Sequence, residues 1–145
     1  MLNLYTGRNR LLASALIESL KAVSGTDKKE AAKLAAPFGG GMGRMREVCG
    51  AVSGMLMVLG TLYGYDNADA DSKKKELYQQ VQALAEQFRE ENGSIICRDI
   101  LKNPPSDPNP SPRTAEYYAK RPCARMVMTA ARLMDEFIAQ HPLEG

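Results

Sequence analysis

The sequence predicts an all-α fold: a compact helical bundle with a central apolar helix and a proline-rich loop before the last helix. Three observations predict it. Apolar residues recur at three- and four-residue spacing along most of the chain, and no stretch alternates as a half-buried strand would. The run from Val48 to Tyr65 carries no charge. Six prolines crowd into the twenty residues from Asn103 to Pro122, too many for a helix interior. With 145 residues the chain reads as a single domain, 1–145, able to bury a core without disulfide or metal staples. A composition of 44% hydrophobic and 25% charged residues excludes a disordered or fibrous chain. The net charge of +2 is too small for a dedicated nucleic-acid binder.

Each element has its own signals. Leu11, Leu12, Ala15, Leu16, Ser19, Leu20 and Val23 form a helical stripe that Gly25 ends; Ser14 and Glu18 interrupt it too early for a signal peptide, which points to a cytoplasmic protein. Asp27 and Glu30 resemble a capping box for a short helix with Ala31, Leu34, Ala35 and Phe38 on its inner face. A loop, Gly39–Met42–Gly43, precedes a long helix expected from Arg44 to Tyr65. Four glycines and two tyrosines dilute its uncharged part, so a bundle centre fits better than a membrane span.

Asp69 or Asp71 caps the next helix, striped by Leu77, Val81, Leu84, Ala85 and Phe88 and ended by Asn92-Gly93. Its Lys73-Lys74-Lys75 run reads as a solvated face. Ser94 is expected to cap a short helix holding Ile95, Ile96, Cys97, Ile100 and Leu101. Beyond the proline-rich loop, Pro122 opens a last helix with Met126, Val127, Ala130, Met134, Phe137 and Ile138 inward.

The chemistry-bearing residues are the three cysteines, Cys49, Cys97 and Cys123. Each falls near a helix start, where unpaired N–H groups and the macrodipole favour a thiolate. Cys123 follows Pro122 with Arg121 and Arg125 close by, so its pKa is expected to be lowered. Cys97 is expected in a first turn, and Cys49 about one turn inside its helix behind Arg44 and Arg46. Against this stands the tendency of free cysteine to serve as a small buried hydrophobe. The small residues Gly50, Ala51, Ser53 and Gly54 predict a close backbone approach beside Cys49. Gly40, Gly41 and Gly43 with Arg44, and separately Arg121, are weak candidates for holding an anion; neither a P-loop nor a dinucleotide fingerprint is present.

Pro37-Phe38-Gly39-Gly40-Gly41-Met42-Gly43-Arg44, then Val48-Cys49-Gly50-Ala51-Val52-Ser53-Gly54, with single cysteines at Cys97 and Cys123, resembles the C-GCAxxG-C-C family. The resemblance covers nearly the whole chain and implies a small helical protein assumed to work by thiol redox chemistry, often encoded near transporters. The family's first cysteine is missing here: its nearest counterpart is Asn9-Arg10-Leu11. At most one disulfide can therefore form within a chain.

Three functions follow as expectations. The first is a thiol redox protein in which one cysteine attacks a disulfide or oxidant and another resolves the intermediate, with Cys97 and Cys123 as the pair. The proline-rich segment, with Tyr117, Tyr118 and Arg121, is expected to pack across the thiol-bearing helix ends. The second is a zinc or iron-sulfur site using Cys49, Cys97 and Cys123 with a fourth ligand such as His141, although paired Cys-x-x-Cys spacing is absent. The third is a non-enzymatic interaction domain, using Met42, Met45, Met55, Met57, Met126, Met128 and Met134 on apolar partners or in a homodimer.

Overall fold

The computed structural model describes residues 28–67, 71–110, 112 and 114–143. The stripe over residues 11–23, the capping residue Asp27 and the alternative cap Asp69 lie outside them. Within them the fold is helical throughout. Helix α1 spans Lys28–Ala35 and runs into a 3-10 turn, Ala36–Phe38, because Pro37 cannot supply the next helical N–H. Ala31 and Ala35 are buried on α1, but Leu34 is 69% exposed; the inner face is narrower than the periodicity predicts and consists of the i, i+4 alanine pair.

The central helix, α3, spans Gly50–Tyr63, following a short turn α2 at Gly39–Met42. Half of its fourteen residues are buried, among them Ala51, Val52, Met55, Val58 and Leu59. Its enclosure is as expected, but its start is not: the chain from Arg44 to Cys49 is non-helical. Met42, Arg44 and Arg46 have φ of 65°, 68° and 61°, a left-handed conformation that interrupts a right-handed helix.

Helix α4, Asp71–Asn92, contributes Leu84 and Phe88 to the core, and Gly93 ends it at φ 85° with its N–H donated to the Arg89 carbonyl at 2.7 Å. The single turn α5 covers Cys97–Ile100. The proline-rich segment contains a helix after all, α6 at Ala115–Lys120. Residues 114–120 are free of proline, and Thr114 Oγ1 accepts the Tyr117 N–H at 3.2 Å as an N-cap does.

Helix α7, Cys123–Gln140, buries Met126, Val127, Ala130, Leu133, Met134 and Phe137 on the stripe the sequence predicts, with Ile138 packed partly against the same core. It lies parallel to α3. At one end Tyr63 meets Phe137 edge to face at 5.1 Å and its hydroxyl donates to the His141 carbonyl at 2.6 Å. At the other end the Cys49 and Cys123 thiols are close enough to interact. Met55, Met126 and Met134 are core residues, whereas Met42, Met45 and Met128 are exposed, so the methionines do not form one surface. Among the described residues no helix is long and apolar enough to cross a membrane.

Candidate functional site

The three cysteines come together at the end of the bundle where α3 and α7 both begin. Cys49 is the N-cap of α3, one full turn earlier than expected, and Cys123 is the first residue of α7 behind Pro122. Both helices thus aim their positive ends toward the same region. Cys97 is the first residue of α5, behind Ile96 as N-cap. Ser94 does accept the Ile96 N–H at 3.0 Å and donates to Asp99 Oδ2 at 3.0 Å, but it shapes the approach to the turn, and the N-cap is Ile96 in place of Ser94.

What delays both helices is an antiparallel backbone contact that local sequence does not announce. Val48 bridges Ile96; the N–H of Cys49 reaches the Ile95 carbonyl at 2.8 Å, Cys97 reaches Glu47 at 2.6 Å, and Arg98 reaches Arg46 at 3.0 Å. The chain around Val48 is thereby paired with the chain around Ile96, and Cys49 and Cys97 are carried side by side. Gly41 makes this possible. A Cβ there would stand 2.6 Å from Cys97 Cβ and 2.9 Å from Arg46 Cα, and its φ is 71°. Gly50 plays a related part in packing, since a Cβ there would lie 3.0 Å from the Phe38 carbonyl oxygen.

Arg46, which the sequence offers only as a charge before Cys49 and beside a weak anion nest in the glycine run, is a functional candidate that sequence reasoning did not single out. It is 2% exposed. Its Nη1 lies 3.8 Å from Cys97 Sγ, its Nε donates to the Pro105 carbonyl at 2.9 Å, and its Nη2 is buried with no hydrogen-bond partner among the described residues. Arg44, expected to flank an anion nest with Gly40, Gly41 and Gly43, instead donates to the Asp107 carbonyl at 2.8 Å and pairs with that carboxylate at 3.7 Å. The proline-rich segment therefore does strap the thiol end, through Pro105 and Asp107. At its far end the Arg121 guanidinium covers the Tyr117 ring at 4.2 Å and stands beside Cys123.

Burial outweighs helix-start placement in the electrostatics of two sulfurs. Burial pushes the Cys49 thiol from 9.0 up to about 11, despite the amides of Ala51 and Val52 drawing it down, and the neighbouring Cys123 and Cys97 sulfurs add to the rise. The Cys123 thiol is also raised, chiefly by burial, with Arg121 opposing and Cys97 adding. The expected lowering at Cys123 is thus reversed: desolvation of the thiolate exceeds the help from the arginine and the dipole.

A stability prediction follows for Cys49. The folded thiol holds its proton up to about pH 11 while the unfolded one loses it near 9.0, so the contribution of Cys49 to stability is constant below pH 9 and is lost as pH rises between those values, by up to about 3 kcal/mol. Urea unfolding at pH 8 and pH 10.5, compared with Cys49→Ser, is expected to show a smaller alkaline loss in the variant.

Among the described residues no group of three or more His, Cys, Asp or Glu side chains is arranged to hold a metal ion. His141 in particular is not near the thiols: it stacks on Phe137 with ring centroids 4.0 Å apart, and the eighteen residues of α7 separate it from Cys123 by about 27 Å.

The family model described as "Putative redox-active protein (C_GCAxxG_C_C)" matches residues 12–137. No curated protein and no solved structure matches the chain.

Proposed function

The chain belongs to the C_GCAxxG_C_C family, and from that premise we propose that it is a thiol redox protein cycling between a Cys97, Cys123 dithiol and their disulfide. The observation that carries the reading is the gathering of three free sulfurs and two guanidinium groups at one end of the bundle. Cys123 is half-buried while Cys49 and Cys97 are buried at 6% and 7% exposure, so Cys123 is the sulfur that meets an external partner.

In the oxidising direction the Cys123 thiolate attacks one sulfur of a partner disulfide. An S–S bond forms to Cys123, and the other partner sulfur leaves as a thiolate and takes up a proton. The Cys97 thiolate then attacks Cys123 Sγ, expelling the second partner thiolate, which is protonated in turn. The partner gains two electrons and the two protons released by the protein's thiols; the protein keeps a Cys97–Cys123 disulfide. A dithiol donor reverses the sequence. Arg121 beside Cys123 and Arg46 beside Cys97 stabilise the negative charge that each sulfur carries in turn. Cys49, deepest in the apolar core, is the bystander of this cycle. A cytoplasmic setting, where thiols are kept reduced, suits a dithiol that must return to its reduced form after each cycle.

Mild oxidation with glutathione disulfide, alkylation and peptide mapping test the assignment. A Cys97-to-Cys123 link is expected. A link to Cys49 rejects the pair, and failure of every pair to oxidise rejects the thiol redox reading.

A further inference from the structure

The unexplained group at this site is the Arg46 guanidinium. A buried charge normally has a carboxylate or a full set of hydrogen bonds to offset its lost hydration. Among the described residues Arg46 has the Pro105 carbonyl and the Cys97 sulfur, and its Nη2 has nothing. Glu47, next to it in the chain, pairs with Arg98 at 3.3 Å, and Asp107, two residues beyond Pro105, pairs with Arg44. The position is nonetheless held firmly. The Arg46 backbone sits at φ 61°, its carbonyl accepts the Arg98 N–H, and the Pro105 strap fixes Nε. A backbone held in this sparsely populated region marks a place where surrounding contacts enforce a geometry.

The end of a guanidinium is a two-pronged donor suited to an anionic group that can receive both N–H groups. Here one prong, Nη1, faces Cys97 Sγ and the other, Nη2, is enclosed and empty-handed. Enclosure decides what the second prong can receive. Among the described residues Nη2 is closed off from solvent, whereas an atom bonded to Cys97 Sγ is already inside. The one-atom addition that gives a thiol an anionic hydrogen-bond acceptor is an oxygen.

We propose that Cys97 is a hydroperoxide-reactive thiol and that Arg46 Nη2 is the donor for the oxygen it acquires. This rests on the dithiol reading above and names a small oxidant for the same pair. The Cys97 thiolate attacks the distal oxygen of a hydroperoxide; the S–O bond forms, the O–O bond breaks, and the leaving alkoxide takes the proton given up by the thiol, departing as an alcohol, or as water from hydrogen peroxide. Sulfur loses two electrons and the peroxide gains them. The product is the sulfenic acid; its proton passes to water, and the sulfenate oxygen, negatively charged, bridges toward the guanidinium until water returns the proton. Protonated, it leaves as water when the Cys123 sulfur attacks Cys97 Sγ and closes the disulfide, and the Cys123 proton completes the balance. A buried Cys97 admits a hydroperoxide of a few atoms and keeps out a folded protein's disulfide, while half-buried Cys123 stays available to the dithiol that reduces the pair.

The test uses the full chain, reduced, with one equivalent of hydrogen peroxide and a 1,3-diketone that traps sulfenate, read by peptide mass spectrometry. In Cys123→Ser the trapped adduct is expected on Cys97, and in the unsubstituted chain the Cys97–Cys123 disulfide is expected instead. Arg46→Lys, which keeps the charge and loses the second prong, is expected to slow peroxide oxidation of Cys97 by about tenfold or more. An adduct on Cys49 instead of Cys97 overturns the proposal, as does a folded Arg46→Lys chain oxidised by peroxide at the unsubstituted rate. Should Arg46→Lys fail to fold, the adduct's position in Cys123→Ser decides alone. Inertness to peroxide with intact oxidation by glutathione disulfide overturns this proposal and leaves the dithiol reading standing; inertness to both overturns the two together.

Discussion

Gly41→Ala is expected to cost about 3 kcal/mol or more of folding stability, the sum of a left-handed backbone penalty and forced overpacking. The position has φ 71°, and its new Cβ would stand 2.6 Å from Cys97 Cβ and 2.9 Å from both Arg46 Cα and Glu47 N. Two of those three atoms belong to backbone that is itself tied to residues 97 and 98 by hydrogen bonds, so the clash cannot be relieved by turning a side chain. The glycine turn must withdraw from α5 or the Arg46–Cys49 segment must leave its partner. Either movement uncovers Cys97. Urea unfolding is therefore expected to show a lower midpoint, and alkylation of the folded variant under conditions favouring the native state a faster reaction at Cys97. A loss below about 1 kcal/mol with unchanged alkylation would show that the turn is not what seats this sulfur.

Phe88→Ala is expected to cost about 3–5 kcal/mol, as truncation of a fully buried aromatic ring does when its surroundings cannot collapse. Phe88 is 0% exposed and belongs to the same core cluster as Leu59, Ala130 and Met134, so one vacancy loosens α3, α4 and α7 at once. A small domain is stable by only about 5–15 kcal/mol, and the loss is large on that scale. Calorimetry or urea titration measures it. The neighbouring surface substitution Gln87→Ala, on the exposed side of α4, serves as the control expected to change little. A Phe88→Ala midpoint equal to that of the control would mean that α4 does not seal the core.

The helices of this protein were legible in its sequence because their signals are local. The stripe on α7 from Met126 to Phe137, the pair Leu84 and Phe88 on α4, and the stop at Gly93 each depend on residues within a few turns of one another, and periodicity and chirality act at that range. The family was legible too, from the Cys49-Gly50-Ala51 to Gly54 motif with the single cysteines Cys97 and Cys123. The geometry of the site was not. Cys49 became an N-cap instead of lying a turn inside its helix, and the turn of Cys97 opens later than its cap signal, because segment 46–49 pairs with segment 95–98, and a contact between residues nearly fifty positions apart leaves no periodic trace in either partner. Arg44 and Arg46 are chemically identical in the sequence and two residues apart, yet one turns outward to Asp107 and the other is sealed against Cys97. Which of them faces sulfur depends on the left-handed turn before them and the proline-rich strap above them. The thiol pKa values follow the same division: helix dipoles and neighbouring arginines can be counted along the chain, but desolvation, which raises Cys49 and Cys123, exists only once the rest of the molecule has closed over the sulfur.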